Sequence, residues 1–84
     1  MEYRKSAFDH GITKEQIDQM LAADATVWAT LPRSRDGYER AMVIGFDSEG
    51  RLLEVGIELT DNGSIVFHAM KATRESKQWF EEKF

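Results

Sequence analysis

The spacing of apolar positions along the chain switches between helical and strand-like periods, and each switch marks an element. Ile17, Met20 and Leu21 fall on one stripe while Glu15, Asp18 and Gln19 turn away, which predicts a short amphipathic helix. Its start is well marked: Thr13 is placed as N-cap, Gln16 closes a capping box, and Ile12 faces Ile17 as a hydrophobic staple. The stripe fades at Ala22 to Asp24. Thr26 to Leu31 is β-branched and aromatic enough for a strand, Pro32 ends it, and the polar stretch Arg33 to Tyr38 around Gly37 reads as a hairpin loop. Arg40 to Phe46 follows as a second strand, and Asp47 to Gly50 as a turn. Beyond it Leu53, Val55, Ile57 and Leu59 alternate with Leu52, Glu54, Gly56 and Glu58, the pattern of a half-buried third strand.

The fourth strand depends on register. A two-residue turn at Asn62-Gly63 pairs Ile57 with His68 and Glu58 with Phe67, mixing polar and apolar groups on both faces. A three-residue loop, Asp61 to Gly63 with Gly63 left-handed, pairs Leu59 with Ile65, Ile57 with Phe67 and Val55 with Ala69, and keeps one face apolar. The second is adopted, so Glu54, Glu58, Val66, His68 and Met70 share the opposite face. Thr73 then caps a closing helix with Ala72, Ser76, Trp79 and Phe80 along one side and Phe84 extending it. The expected fold is a single α+β domain over residues 1–84: helix, four-stranded antiparallel meander, helix. It is a two-layer arrangement in which the helices cover the apolar sheet face and the other face stays open to a ligand or partner.

Length and charge narrow the function. Eighty-four residues leave room for one core, which excludes a two-domain enzyme with a large cofactor, and no cofactor is expected. With no cysteine there is neither a disulfide framework nor a thiolate metal site, and two histidines make a weak metal site, so none is assigned. A reducing cytoplasm fits best. No uninterrupted apolar run exceeds four residues, as at Ala41 to Ile44, and Met1 is followed by Glu2, Tyr3, Arg4 and Lys5, so neither a membrane span nor a signal peptide is expected. Eleven Lys and Arg against fifteen Asp and Glu give a net charge of −4, the wrong sign for blanketing nucleic acid, so any RNA contact must be local.

Three stretches carry a family resemblance: HGI at His10 to Ile12, GFDSEGRLLEV at Gly45 to Val55, and IVFHAMKATRE at Ile65 to Glu75. Over about residues 5 to 82 the chain resembles the BrnT-like toxins, in which a Lys-His-Gly run opens the first helix, a Gly-Arg-Leu-Leu run starts a strand, and an Ala-Arg-Lys-Ala-Thr run leads into the last helix. The resemblance implies a RelE-type fold and a ribonuclease toxin of a type II toxin–antitoxin pair. Such a toxin cleaves RNA without a metal and is neutralised by a small ribbon-helix-helix antitoxin. His10, Arg51, Lys71 and Arg74 match family positions, whereas Asp9 stands where the family has lysine and Met70 where it has arginine.

Metal-free RNA cleavage needs a base for the 2′-hydroxyl proton, an acid for the leaving 5′-oxygen, and cations for the phosphate. His68, on the open face with Glu54 and Glu58, is assigned to proton transfer with Glu58, because imidazole titrates near neutral pH. His10 is a second imidazole candidate. Arg51 entering the third strand, with Lys71 and Arg74 between the last strand and last helix, are assigned to the phosphate. Arg33, Arg35, Arg40 and Tyr38 form a basic hairpin suited to guiding RNA. Each has a plainer reading: a half-exposed strand histidine, a tie for the N-terminal turn, solvated surface charge, or an ordinary polar loop. Trp28 and Trp79 read as core or partner-facing anchors. The alternative function is a non-catalytic, toxin-like protein-binding module, which Met70 and the acidic balance favour.

Overall fold

The computed structural model describes residues 1–83; Phe84, the last member of the closing stripe, lies outside the described residues. The chain runs β1 (Glu2–Tyr3), a 3₁₀ turn (Lys5–Phe8), α1 (Lys14–Ala22), β2 (Thr26–Leu31), β3 (Glu39–Phe46), β4 (Leu52–Thr60), β5 (Gly63–Lys71) and α2 (Arg74–Lys83). The capping box that starts α1 is formed as its sequence requires. Gln16 N donates to Thr13 Oγ1 at 3.2 Å, and Thr13 N donates to Gln16 Oε1 at 2.8 Å. At α2, Ser76 N donates to Thr73 Oγ1 at 3.2 Å, the corresponding N-terminal tie.

The α+β class holds, but the sheet has five strands in the order β1-β5-β4-β3-β2, not four. The meander β2 to β5 is antiparallel throughout. The additional strand is N-terminal and parallel to β5, with Glu2 opposite Ile65 and Tyr3 opposite Val66, and Arg4 N donating to Val66 O at 2.8 Å. Two residues carry no readable period, so only the outer donors and acceptors of β5, which need partners, explain the pairing.

The β4–β5 register corrects the expected one. The turn is two residues, Asp61 and Asn62, with Thr60 opposite Gly63 and Thr60 Oγ1 donating to Gly63 O at 2.8 Å. Leu59 therefore meets Ser64, and Ile57 meets Val66. A bulge between Gly56 and Ile57 then restores the Val55–Ala69 pairing. The physical reason is that Val66 and Ala69 are both fully buried though three residues apart, which strict alternation forbids. The bulge sends Val66 into the core and leaves Phe67 and His68 side by side on the other face.

The helices do not share a face, which also corrects the two-layer arrangement. Ile17 and Met20 of α1, with Ala7 of the 3₁₀ turn, join Val43, Leu53, Val55, Ile57, Val66 and Ala69 in one core cluster. Ile44, Phe46 and Glu54 alternate with those positions and so point the other way, toward α2. There Phe80 packs edge-on against Phe46 at 5.2 Å between ring centroids, and Ser76 bonds Glu54. α2 packs mainly on β2 and β3, and through Thr73 and Ser76 its first turn also reaches Glu54 of β4, beside His68.

Candidate functional site

Glu54 organises the site. Its side chain is buried at 4% exposure beneath the start of α2, where Oε1 accepts Thr73 N at 2.8 Å and Ser76 Oγ at 2.9 Å. Oε2 lies 2.9 Å from His68 Nε2. Burial pushes the carboxyl's pKa up, but the Thr73 amide, the His68 ring and the Ser76 hydroxyl together outweigh burial and hold it below the ordinary glutamate value. An ionised carboxylate only accepts hydrogen bonds, so the proton between them belongs to His68 Nε2, and the ring's other nitrogen, Nδ1, is not part of this contact.

His10 follows the 3₁₀ turn and closes on the same imidazole. Gly11, with φ +78°, turns the chain there, and Gly11 N donates to Phe8 O at 3.4 Å. The two rings stand 5.7 Å apart between centroids at 69°, an edge-on pair. The sheet face thus presents two imidazoles, one of them backed by a buried carboxylate.

Glu58 does not pair with His68. It lies on the same face, at 4% exposure, but its Oε2 accepts from Arg4 Nη2 at 2.8 Å, so the imidazole's carboxylate partner is Glu54. Arg51 is engaged elsewhere. Its Nε donates to Asp47 Oδ2 at 2.9 Å and its Nη2 reaches Glu49 Oε2 at 2.6 Å, while Asp47 Oδ1 accepts the amides of Glu49 and Arg51. Burial pushes the Asp47 carboxyl up, but those bonds overcome it and hold the pKa low. Lys71 stands opposite Leu53, on the α1 side of the sheet and facing away from His68, and Arg74 begins α2. Among the described residues no hydrogen bond or ion pair gathers Arg51, Lys71 and Arg74. Of the six residues assigned from sequence, the fold brings His10 and His68 together.

The basic hairpin divides. Arg33 folds back, donating to Gly37 O at 2.8 Å and reaching Glu39 at 3.4 Å. Arg35 and Arg40 line a cleft of about 280 Å³ with Arg4, Asp36, Glu58 and Phe67. Arg4 and Phe67 were not legible as site residues, because Arg4 precedes any periodic pattern and Phe67 reaches this face through the bulge. The one available signal was the three-residue spacing of Val66 and Ala69. Trp28 is 55% exposed and is no core anchor, whereas Trp79 is half-buried.

Compared with known proteins, the chain matches no family model, and no curated protein and no solved structure is significantly similar to it. Among the described residues, no helix is long and apolar enough to cross a membrane, and no three or more His, Asp or Glu side chains are grouped to hold a metal ion.

Proposed function

We propose that this protein is a cytoplasmic ribonuclease toxin that cleaves RNA without a metal and is neutralised by a small ribbon-helix-helix antitoxin. The observation that carries the reading is the His10–His68 pair with Glu54 behind it. Transesterification at an RNA phosphate needs two groups that exchange protons near neutral pH, and two adjacent imidazoles supply both. His68 Nδ1 takes the proton of the 2′-hydroxyl, whose oxygen then bonds to phosphorus. His10 gives a proton to the departing 5′-oxygen, leaving a 2′,3′-cyclic phosphate and a 5′-hydroxyl. Glu54 fixes the His68 ring and stabilises the imidazolium that forms. Guanidiniums on the same sheet face supply the positive charge that net acidity otherwise denies the molecule.

The test is RNA incubation in chelator. Wild type is expected to yield cyclic-phosphate ends, and His68→Ala and His10→Ala are each expected to lower the rate by about 10²- to 10⁴-fold, the usual contribution of a positioned acid or base. Intact RNA with folded wild-type protein would reject the nuclease.

One observation favours the second reading, a non-catalytic protein-binding module. Trp28 at 55% and Leu59 at 42% exposure border a cleft of about 230 Å³, and large apolar groups left in water mark contact surfaces. That reading expects no cleavage under any condition and loss of partner binding on Trp28→Ala.

A further inference from the structure

Three guanidiniums meet on the sheet face that carries the imidazoles. Arg4 arrives from just after β1, Arg35 from the β2–β3 loop and Arg40 from β3, and all three line the cleft of about 280 Å³. Two carboxylates line it as well, Asp36 and Glu58, leaving a surplus of one positive charge in a chain whose net charge is −4. Glu58 is spent on Arg4 at 2.8 Å. The Arg40 side chain, on a residue whose backbone is paired in the sheet, has its Nε buried without an acceptor, and neither Arg35 nor Arg40 is ion-paired to a carboxylate among the described residues. A guanidinium that lines an open cleft without a carboxylate of its own keeps donors for an incoming anion.

The position of Arg40 is itself built. Its guanidinium lies 4.4 Å over the Phe67 ring. Phe67 in turn packs against Gly56, where an added Cβ would come within 2.7 Å of the ring. Ring and backbone thus hold a planar, five-donor fork at the edge of the cleft, the geometry that suits a tetrahedral oxyanion. Phe67 and His68 are consecutive on β5, so the cleft adjoins the imidazole pair.

The geometry points to a phosphate subsite in this cleft: Arg35 and Arg40, with Arg4 held beside them by Glu58, take a phosphodiester of single-stranded nucleic acid. This rests on the proposed nuclease only for the chemistry next door, where the neighbouring phosphodiester would lie at the two imidazoles. Binding itself needs no cleavage.

The experiment measures fluorescence anisotropy of a labelled single-stranded deoxyoligonucleotide of about ten nucleotides, long enough to track one groove and lacking the 2′-hydroxyl. Arg40→Gln and Arg35→Gln are each expected to weaken binding by about tenfold and to reduce the salt slope by about one, as for any lost phosphate contact. Arg40→Lys, which keeps the charge without the fork, should fall between, and Lys77→Gln on α2 should bind as wild type does. Thermal melts establish that each variant is folded. Inorganic phosphate should compete no better than chloride at equal ionic strength; displacement by phosphate at low millimolar concentration would assign the site to the free ion and overturn the polymer. Unchanged affinity and salt slope in folded Arg40→Gln overturns the subsite even if RNA is cleaved. Arg40-dependent binding with no cleavage by wild type upholds the subsite and removes the nuclease.

Discussion

His68 Nε2 and Glu54 Oε2 lie 2.9 Å apart, and the same carboxylate holds the first turn of α2 through Thr73 and Ser76. One buried group therefore couples the imidazole's orientation to the seating of a helix. Removing the charge while keeping the shape, Glu54→Gln, exchanges an anionic acceptor for an amide that cannot satisfy all three donors. A loss of about 1–3 kcal/mol in unfolding free energy is expected from chemical denaturation, the cost of leaving buried donors short of an acceptor.

The same carboxyl gives a pH signature. Its folded pKa lies below the ordinary value of 4.5, so the folded state binds fewer protons than the unfolded one as the pH drops past that value. The stabilisation is complete above about 4.5 and is lost as the pH falls through the depressed folded value. Wild type should therefore lose more stability on acidification than Glu54→Gln. Parallel curves for the two proteins below pH 5 would contradict the assignment.

Gly56 is required by the ring that lies on it. An added Cβ meets Phe67 Cζ at 2.7 Å and His68 Cβ at 3.1 Å, so Gly56→Ala forces the bulge or the ring to move. Destabilisation of about 1–3 kcal/mol is expected, the range for overpacking. Because Arg40 stacks on that ring, oligonucleotide affinity should fall in the same variant, whereas the β2–β3 pairing, followed by amide exchange, should persist.

The helices and the four meander strands were legible because each is written locally: a capping box at Thr13 and Gln16, alternation from Leu53 to Leu59, a breaker at Pro32. What was not legible depends on partners distant in sequence. β1 is two residues with no period, and its strand state exists only through pairing with Ile65 and Val66. The bulge at Phe67 answers a packing demand, the burial of both Val66 and Ala69, that no turn rule expresses. Alternation alone puts Glu54 and Glu58 on one face but does not say which one finds an imidazole. Arg4, coming from the N-terminus, claims Glu58, and α2 fixes Glu54 beside His68. His10 was readable as a candidate, while its approach to His68 required the chain to turn at Gly11 beside β5.

Asp47 and Arg51 distinguish a structural tie from a phosphate clamp. Asp47 satisfies two amides and a guanidinium in the β3–β4 turn, and its pKa is held below 3.8 despite burial. Asp47→Ala should lower the melting temperature by several degrees, as expected for losing about 1–2 kcal/mol in a chain of this size. Arg51→Ala removes one of four donors, since Gln16 Nε2 also reaches Asp47 Oδ2 at 3.4 Å, and should destabilise less. Should Arg51→Ala cut RNA cleavage by more than tenfold with an unchanged melting temperature, Arg51 acts on substrate as the family resemblance implies; a small rate effect with lowered stability places it in the turn alone.

Tyr3 anchors the strand that the sequence pattern hides. Its hydroxyl donates to Asp18 of α1, which also accepts Lys14 Nζ at 3.1 Å, so β1 is fastened to the helix as well as to β5. Burial and the Asp18 carboxylate push the phenol up from 10.0 to about 12. A raised folded pKa means that the unfolded chain releases its proton first. The stabilisation is therefore fully present below pH 10 and is lost as the pH rises toward about 12. Tyr3→Phe removes this dependence. Denaturation midpoints at pH 8 and near pH 11 should show wild type losing more than the variant, and amide exchange at Tyr3 and Val66 should quicken first, because the strand is tied at one end by that hydroxyl. Equal losses in the two proteins would mean that the phenol's proton plays no part in holding β1 to the sheet.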